Sequence, residues 1–186
     1  MSRLNVVDRL TTQPEIKPLF EAVESQLGSV PNFLRVFANS PKALAGILAL
    51  NGNLGQGLLN AKLQEQIALT VGEANACQYC VSAHTAISQS LGLDAIEIEA
   101  ARQGNASDEK ARAAVQFANA LVDNDGNITT GELKAVRDAG YSDGEIVEII
   151  TLVGLNTTLN YLGKVSRVEI DFPEVTLLSR SASVAG

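Results

Sequence analysis

The chain contains two cysteines and one histidine, and all three lie between positions 77 and 84: Cys77, Cys80 and His84. A thiol pair separated by two residues can cycle between dithiol and disulfide, and a nearby imidazole can exchange protons close to neutral pH. The thiolate is the reactive form, so the local backbone matters. Asn75, followed three residues later by Gln78, reads as a capping box. That places Cys77 in the first turn of a helix and Cys80 just beyond it, where unpaired N–H groups and the positive end of the helix dipole favour a thiolate. At about 100° per residue, Cys77, Cys80 and His84 fall within roughly 60° of one another on one helix face. His84 then sits one turn above Cys80, in range to exchange a proton with it.

Glu65 enters through a register argument. In one straight helix it would lie about 18 Å from Cys77 and be irrelevant to it. A chain reversal near Asn75 changes that, because Glu65 lies ten residues before the reversal and His84 nine after it. In an antiparallel hairpin the two meet at the same height, giving a Glu–His–Cys series. The same residues also suit a tetrahedral zinc site, with Glu65 as the fourth ligand beside Cys77, Cys80 and His84, or simple packing of a buried cysteine pair. A stabilising disulfide is the weaker use, since so short a loop removes little chain entropy.

The elements that must position these groups are helical throughout. Residues 15–27 space Ile16, Leu19, Phe20, Val23 and Leu27 along one face, and Gly28 ends the run. A short segment with Phe33, Leu34, Val36 and Phe37 follows Pro31. Ser40-Pro41 then starts a helix reaching about residue 57. Further helices are expected over 61–74, 76–91, 94–102, 107–122, 130–139 and 143–163, and no alternating strand pattern persists. The expected fold class is all-α, built from helical hairpins. The expected organisation is an irregular segment over 1–14, one domain over 15–173 and a flexible tail over 174–186.

Composition narrows the function. Hydrophobic residues make up 46% and charged residues 19%, which excludes a disordered chain. A net charge of −7 argues against nucleic acid as a partner. No run of about 18 apolar residues is found, so no membrane partner is expected. The first residues have no apolar signal core, which leads to the expectation of a reducing, cytoplasmic setting. Glu73 reads as a solvated helix face, and Arg35, Arg102 and Arg112 show no clustering. Asn156 and Asn160, one turn apart in an apolar stretch, read as partners for buried backbone or for a subunit contact. The Asp123–Gly126 turn lacks the first acidic ligand of a calcium loop, and Gly55-Gln56-Gly57 follows no strand.

The spacing Glu65-x11-Cys77-x2-Cys80-x3-His84 resembles the signature of the alkylhydroperoxidase D-like branch of the carboxymuconolactone decarboxylase family at every position. Val30-Pro31-Asn32-Phe33, Asn39-Ser40-Pro41 and the approach to the last helix, Ala139-Gly140-Tyr141-Ser142-Asp143, are similar too, so the resemblance spans residues 31–173. It implies an all-helical domain, a homo-oligomer (trimer or hexamer), a hydroperoxide substrate and a dithiol reductant, protein or small molecule. It also implies roles: Cys80 as the attacking thiol, Cys77 as the resolving thiol, His84 and Glu65 as the proton relay, with no metal and no cofactor. The family's type member carries a histidine just before its second cysteine, where this chain has Tyr79. Two other readings share the fold: a lactone decarboxylase-like lyase using Glu65 and His84 as acid and base, and a non-enzymatic redox sensor.

Overall fold

The computed structural model describes residues 2–11 and 13–178, which form nine α-helices and no strand. In chain order they are α1 (Lys17–Leu27), α2 (Asn32–Phe37), α3 (Pro41–Leu54), α4 (Ala61–Ala74), α5 (Gln78–Ser90), α6 (Ala95–Arg102), α7 (Glu109–Asp123), α8 (Thr130–Asp138) and α9 (Asp143–Ser166). The all-α expectation holds. Local signals set most boundaries. Asp94, Thr129 and Ser142 each cap a helix and receive a reciprocal bond from a glutamate three residues on.

Helix α4 is the centre of the molecule. Every residue from Gln66 to Glu73 is buried, because α5, α6, α7 and α9 pack around it. Leu63, Ile67 and Val71 of α4 join Val115 and Phe117 of α7 and Ile149, Leu152 and Leu155 of α9 in the largest apolar cluster. By length and composition α9 is apolar enough to cross a bilayer, but its inner face is part of this core. A second cluster joins α1 to α3 through Ile16, Phe20, Val23 and Leu44. A third, Phe33, Val36, Tyr79 and Val168 with both cysteines, lies where the α4–α5 turn meets the end of α9.

Residues 174–178 are fastened to the helices. Val175 N–H donates to Ser82 Oγ at 3.0 Å, Leu178 N–H donates to Glu73 Oε1 at 2.6 Å, and Arg102 Nη2 donates to the Thr176 carbonyl at 2.6 Å. The rest of the expected flexible tail, residues 179–186, lies outside the described residues. Glu73 is the main anchor and is no solvated face. It is 3% exposed and paired with Arg102 Nε at 2.8 Å, because α6 crosses α4 at that level and excludes water from both.

Candidate active site

The reversal between α4 and α5 is built differently from the expected Asn75 cap. Asn75 closes α4, and Ala76 adopts a left-handed conformation at φ 51°. Cys77 N–H then reaches back to the Gly72 carbonyl at 2.9 Å, and Ala76 N–H to the Glu73 carbonyl at 3.0 Å. This paired pattern is the Schellman closure of a helix, here with alanine where glycine is usual. The cap of α5 is Cys77 itself: it is extended (φ −99°, ψ 91°), and its Sγ accepts the Cys80 N–H at 3.4 Å. The expected Asn75–Gln78 box does not form, because Asn75 is engaged by α9. Its Nδ2 donates to Asn160 Oδ1 at 3.0 Å, and its carbonyl accepts Lys164 Nζ at 2.8 Å.

Cys77 and Cys80 are joined as a disulfide with Cα atoms 5.3 Å apart, at 1% and 5% exposure. One glycine makes room for it, and a second lets α4 lie close to α5. A Cβ on Gly163 of α9 would lie 2.8 Å from Cys77 Sγ and 3.7 Å from Cys80 Sγ. A Cβ on Gly72 of α4 would lie 3.3 Å from Val81 Cγ2 and 3.7 Å from Cys80 Cβ. The absence of a Cβ at Gly163 therefore sets how closely α9 approaches the sulfurs, whereas Gly72 eases the contact of α4 with Val81 of α5.

The hairpin register brings Glu65 and His84 together as expected, with Oε2 2.8 Å from Nδ1 and both side chains mostly buried (16% and 19% exposed). Burial alone would push the imidazole down. The Glu65 charge and hydrogen bond outweigh it and hold His84 above its ordinary value. The imidazolium–carboxylate pair is therefore favoured to higher pH than a free imidazole would allow, with His84 one helical turn from Cys80.

Tyr79 takes no part in that pair. Its hydroxyl donates to Asp171 Oδ1 at 2.5 Å and accepts the Phe33 N–H at 3.3 Å, while its ring stacks on Phe33 at 5.2 Å and meets Phe172 edge-on at 5.8 Å. Burial and the adjacent Asp171 push the phenol far above its usual range, so it stays a neutral hydrogen-bond donor. Of the two polar residues noted on α9, Asn156 Nδ2 donates to its own helix at the Leu152 carbonyl, 2.9 Å, whereas Asn160 grips the α4–α5 turn. Gly163, Lys164 and Asp171 were not singled out from sequence, and Glu73 and Arg102 were noted there without a role. The detectable signal was polarity inside apolar runs, which Glu73 shares with Asn160. With both sulfurs bonded to each other, neither is a thiolate donor for a metal in this state. Among the described residues no cluster of three histidine, cysteine or carboxylate side chains is disposed to hold one.

The carboxymuconolactone decarboxylase family model matches residues 41–123, a stretch that includes α4, the reversal and α5. Over 90% of this chain and 91% of the other, the structure is similar to an uncharacterized peroxidase-related protein from Silicibacter sp., with TM-score 0.80 and 25% identity. It is also similar to the alkylhydroperoxidase AhpD core of a peroxidase-related protein from Ralstonia eutropha (TM-score 0.81, 21% identity, 91% and 92% of the two chains). The debrominase Bmp8, solved with 2,3,4-tribromopyrrole, shares the fold at TM-score 0.77 and 21% identity over 92% and 94% of the chains. No curated protein matches the sequence. The helical core around α4 and α5 is thus similar to that of the carboxymuconolactone decarboxylase family. The family-model match and the likeness to peroxidase-related structures together support the alkylhydroperoxidase D-like branch of that family.

Proposed function

We propose that the chain is a thiol-dependent peroxidase that reduces hydroperoxides through Cys80 and Cys77, with His84 and Glu65 handling protons. The supporting observation is the conjunction of a Cys77–Cys80 disulfide with a mostly buried His84–Glu65 pair one turn further along α5. In the reduced state Cys80 lies in the first turn of α5, and the imidazolium favours its thiolate. That thiolate attacks the O–O bond of ROOH, forming the sulfenic acid and expelling RO⁻, which takes a proton from His84 and leaves as ROH. The Cys77 thiol then attacks the sulfenic sulfur, closing the disulfide and releasing water. A dithiol reductant restores the pair. Glu65 holds the imidazole by Nδ1 so that Nε2 faces the reacting atoms.

The test is peroxide consumption with a dithiol reductant. Cys80→Ser is expected to abolish turnover, and Cys77→Ser to leave a sulfenic acid at Cys80 that a dimedone probe labels. Equal peroxide reactivity of Cys77 in the Cys80→Ser variant would reverse the assignment. Oxidation without turnover in any dithiol would favour the redox-sensor reading. We further propose a homo-oligomeric assembly, a trimer or hexamer. Val147, Ile150, Tyr161 and Val165 lie exposed along the outer side of α9 and offer an apolar face to a second copy. Light scattering that returns the mass of a single chain would refute it.

A further inference from the structure

A cleft of about 420 Å³ has Cys77 in its wall, and Cys80 is not among the residues that line it. Gly163, Lys164 and Arg167 from the end of α9 form one side, and Ile170 and Leu177 of the C-terminal segment form another. No carboxylate lines it, whereas Lys164 and Arg167 supply two exposed cations. Lys164 is held in place by its bond to the Asn75 carbonyl at 2.8 Å. Arg167 leaves the helix in a left-handed turn at φ 47°. Exposure is low at both residues, 1% at Cys77 and 5% at Cys80, so the opening is narrow, and it is the cleft with its two cations that singles out Cys77.

We propose that this cleft admits the reducing agent, that the agent is a slender anionic thiol, and that it attacks Cys77. The inference rests on the dithiol cycle given under Proposed function. The incoming thiolate RS⁻ bonds to Cys77 Sγ, the S–S bond breaks, and its electron pair leaves on Cys80 as a thiolate. A second thiol, from the same dithiol or another molecule, displaces Cys77 from the mixed disulfide and completes the two-electron reduction. The direction of cleavage is consistent with the structure. Cys80 is the better leaving group, because it sits in the first turn of α5 and one turn from the His84–Glu65 pair. Two cations beside the electrophilic sulfur draw an anion in and repel a cation. The apolar side chains of Ile170 and Leu177 admit an alkyl thiol body.

The experiment uses the oxidised protein without peroxide. Mercaptoethanesulfonate, mercaptoethanol and cysteamine (anionic, neutral and cationic) are each reacted with it, and each rate is divided by that thiol's rate with a small uncharged reference disulfide. The anionic thiol is expected to lead the neutral one by a few-fold to roughly tenfold, with the cationic thiol slowest. Lys164→Gln with Arg167→Gln should collapse that order, and added salt should narrow it in the unaltered protein, which covers the case of a poorly folded variant. Alkylation after brief exposure should show the thiol adduct on Cys77 and the alkyl group on Cys80. An adduct on Cys80, or normalised rates that ignore thiol charge, overturns the proposal. Because no peroxide is present, either result stands apart from success or failure of the peroxidase assay.

Discussion

Replacing Gly163 by alanine places a methyl group 2.8 Å from Cys77 Sγ. An ordinary nonbonded contact is about 3.5–4.0 Å, so the new atom intrudes by roughly 1 Å. Neither neighbour can retreat easily: the sulfur is tied to Cys80, and α9 is packed into the core along its length. Overpacking of this kind costs about 1–3 kcal/mol. The penalty falls on the oxidised state. In the reduced state Cys77 is free to turn its thiol to another staggered rotamer, and alanine in a helix interior gains about 1 kcal/mol over glycine in both states. The dithiol is therefore expected to become more oxidising, by roughly 20–65 mV at about 30 mV per 1.4 kcal/mol. Titration in glutathione or dithiothreitol buffers with alkylation of free thiols reads the potential, and thermal melts of both redox forms read the stabilities. The oxidised form should lose Tm relative to the reduced one. An unchanged potential with equal Tm shifts in the two forms would show that Gly163 does not set the room for the disulfide.

The His84–Glu65 pair makes stability depend on pH in a defined direction. His84 is held above its ordinary value when folded, so the stabilisation is complete below about pH 6.5 and is lost as pH rises through the folded value. Denaturant titrations across that range should show stability falling, and Glu65→Gln should flatten the slope; a slope that survives the substitution assigns it to other groups. Glu73→Ala leaves Arg102 buried without its partner and releases the Leu178 N–H. A loss of about 3 kcal/mol is expected, together with new proteolytic cleavage within residues 174–178, and an intact segment in the variant would show that other contacts hold it.

Chemistry was legible here before architecture. The helices could be read because their apolar spacing and caps are local: Ser142 with Glu145 marks the start of α9 three residues apart. The meeting of Glu65 and His84 was legible for a related reason, since a hairpin register follows from counting residues on either side of one turn. The turn itself was misread. Asn75 has the composition of a helix start, but whether it caps the next helix or closes the previous one depends on Asn160 and Lys164, 85 and 89 residues away. Glu73 failed for the same reason, its partner lying on another helix. Gly163 carries no side-chain signal, and its importance exists only once the sulfurs are placed against α9.

Both ends of the disulfide lie close to positive charge in a chain whose net charge is −7. His84 is one turn from Cys80, and Lys164 and Arg167 stand at the cleft beside Cys77. The two charge distributions make opposite demands on salt. If the overall negative charge governed the approach of an anionic thiol, screening would remove repulsion and the reaction would speed up. If the local cations govern it, screening removes attraction and the reaction slows. At physiological ionic strength the Debye length is about 8 Å, so carboxylates spread over the surface are largely screened while charges at the cleft are not. The local sign should win. A rate that falls with salt for the anionic thiol and rises for the cationic one would show that the cations of α9, and not the charge of the whole chain, control entry to the dithiol.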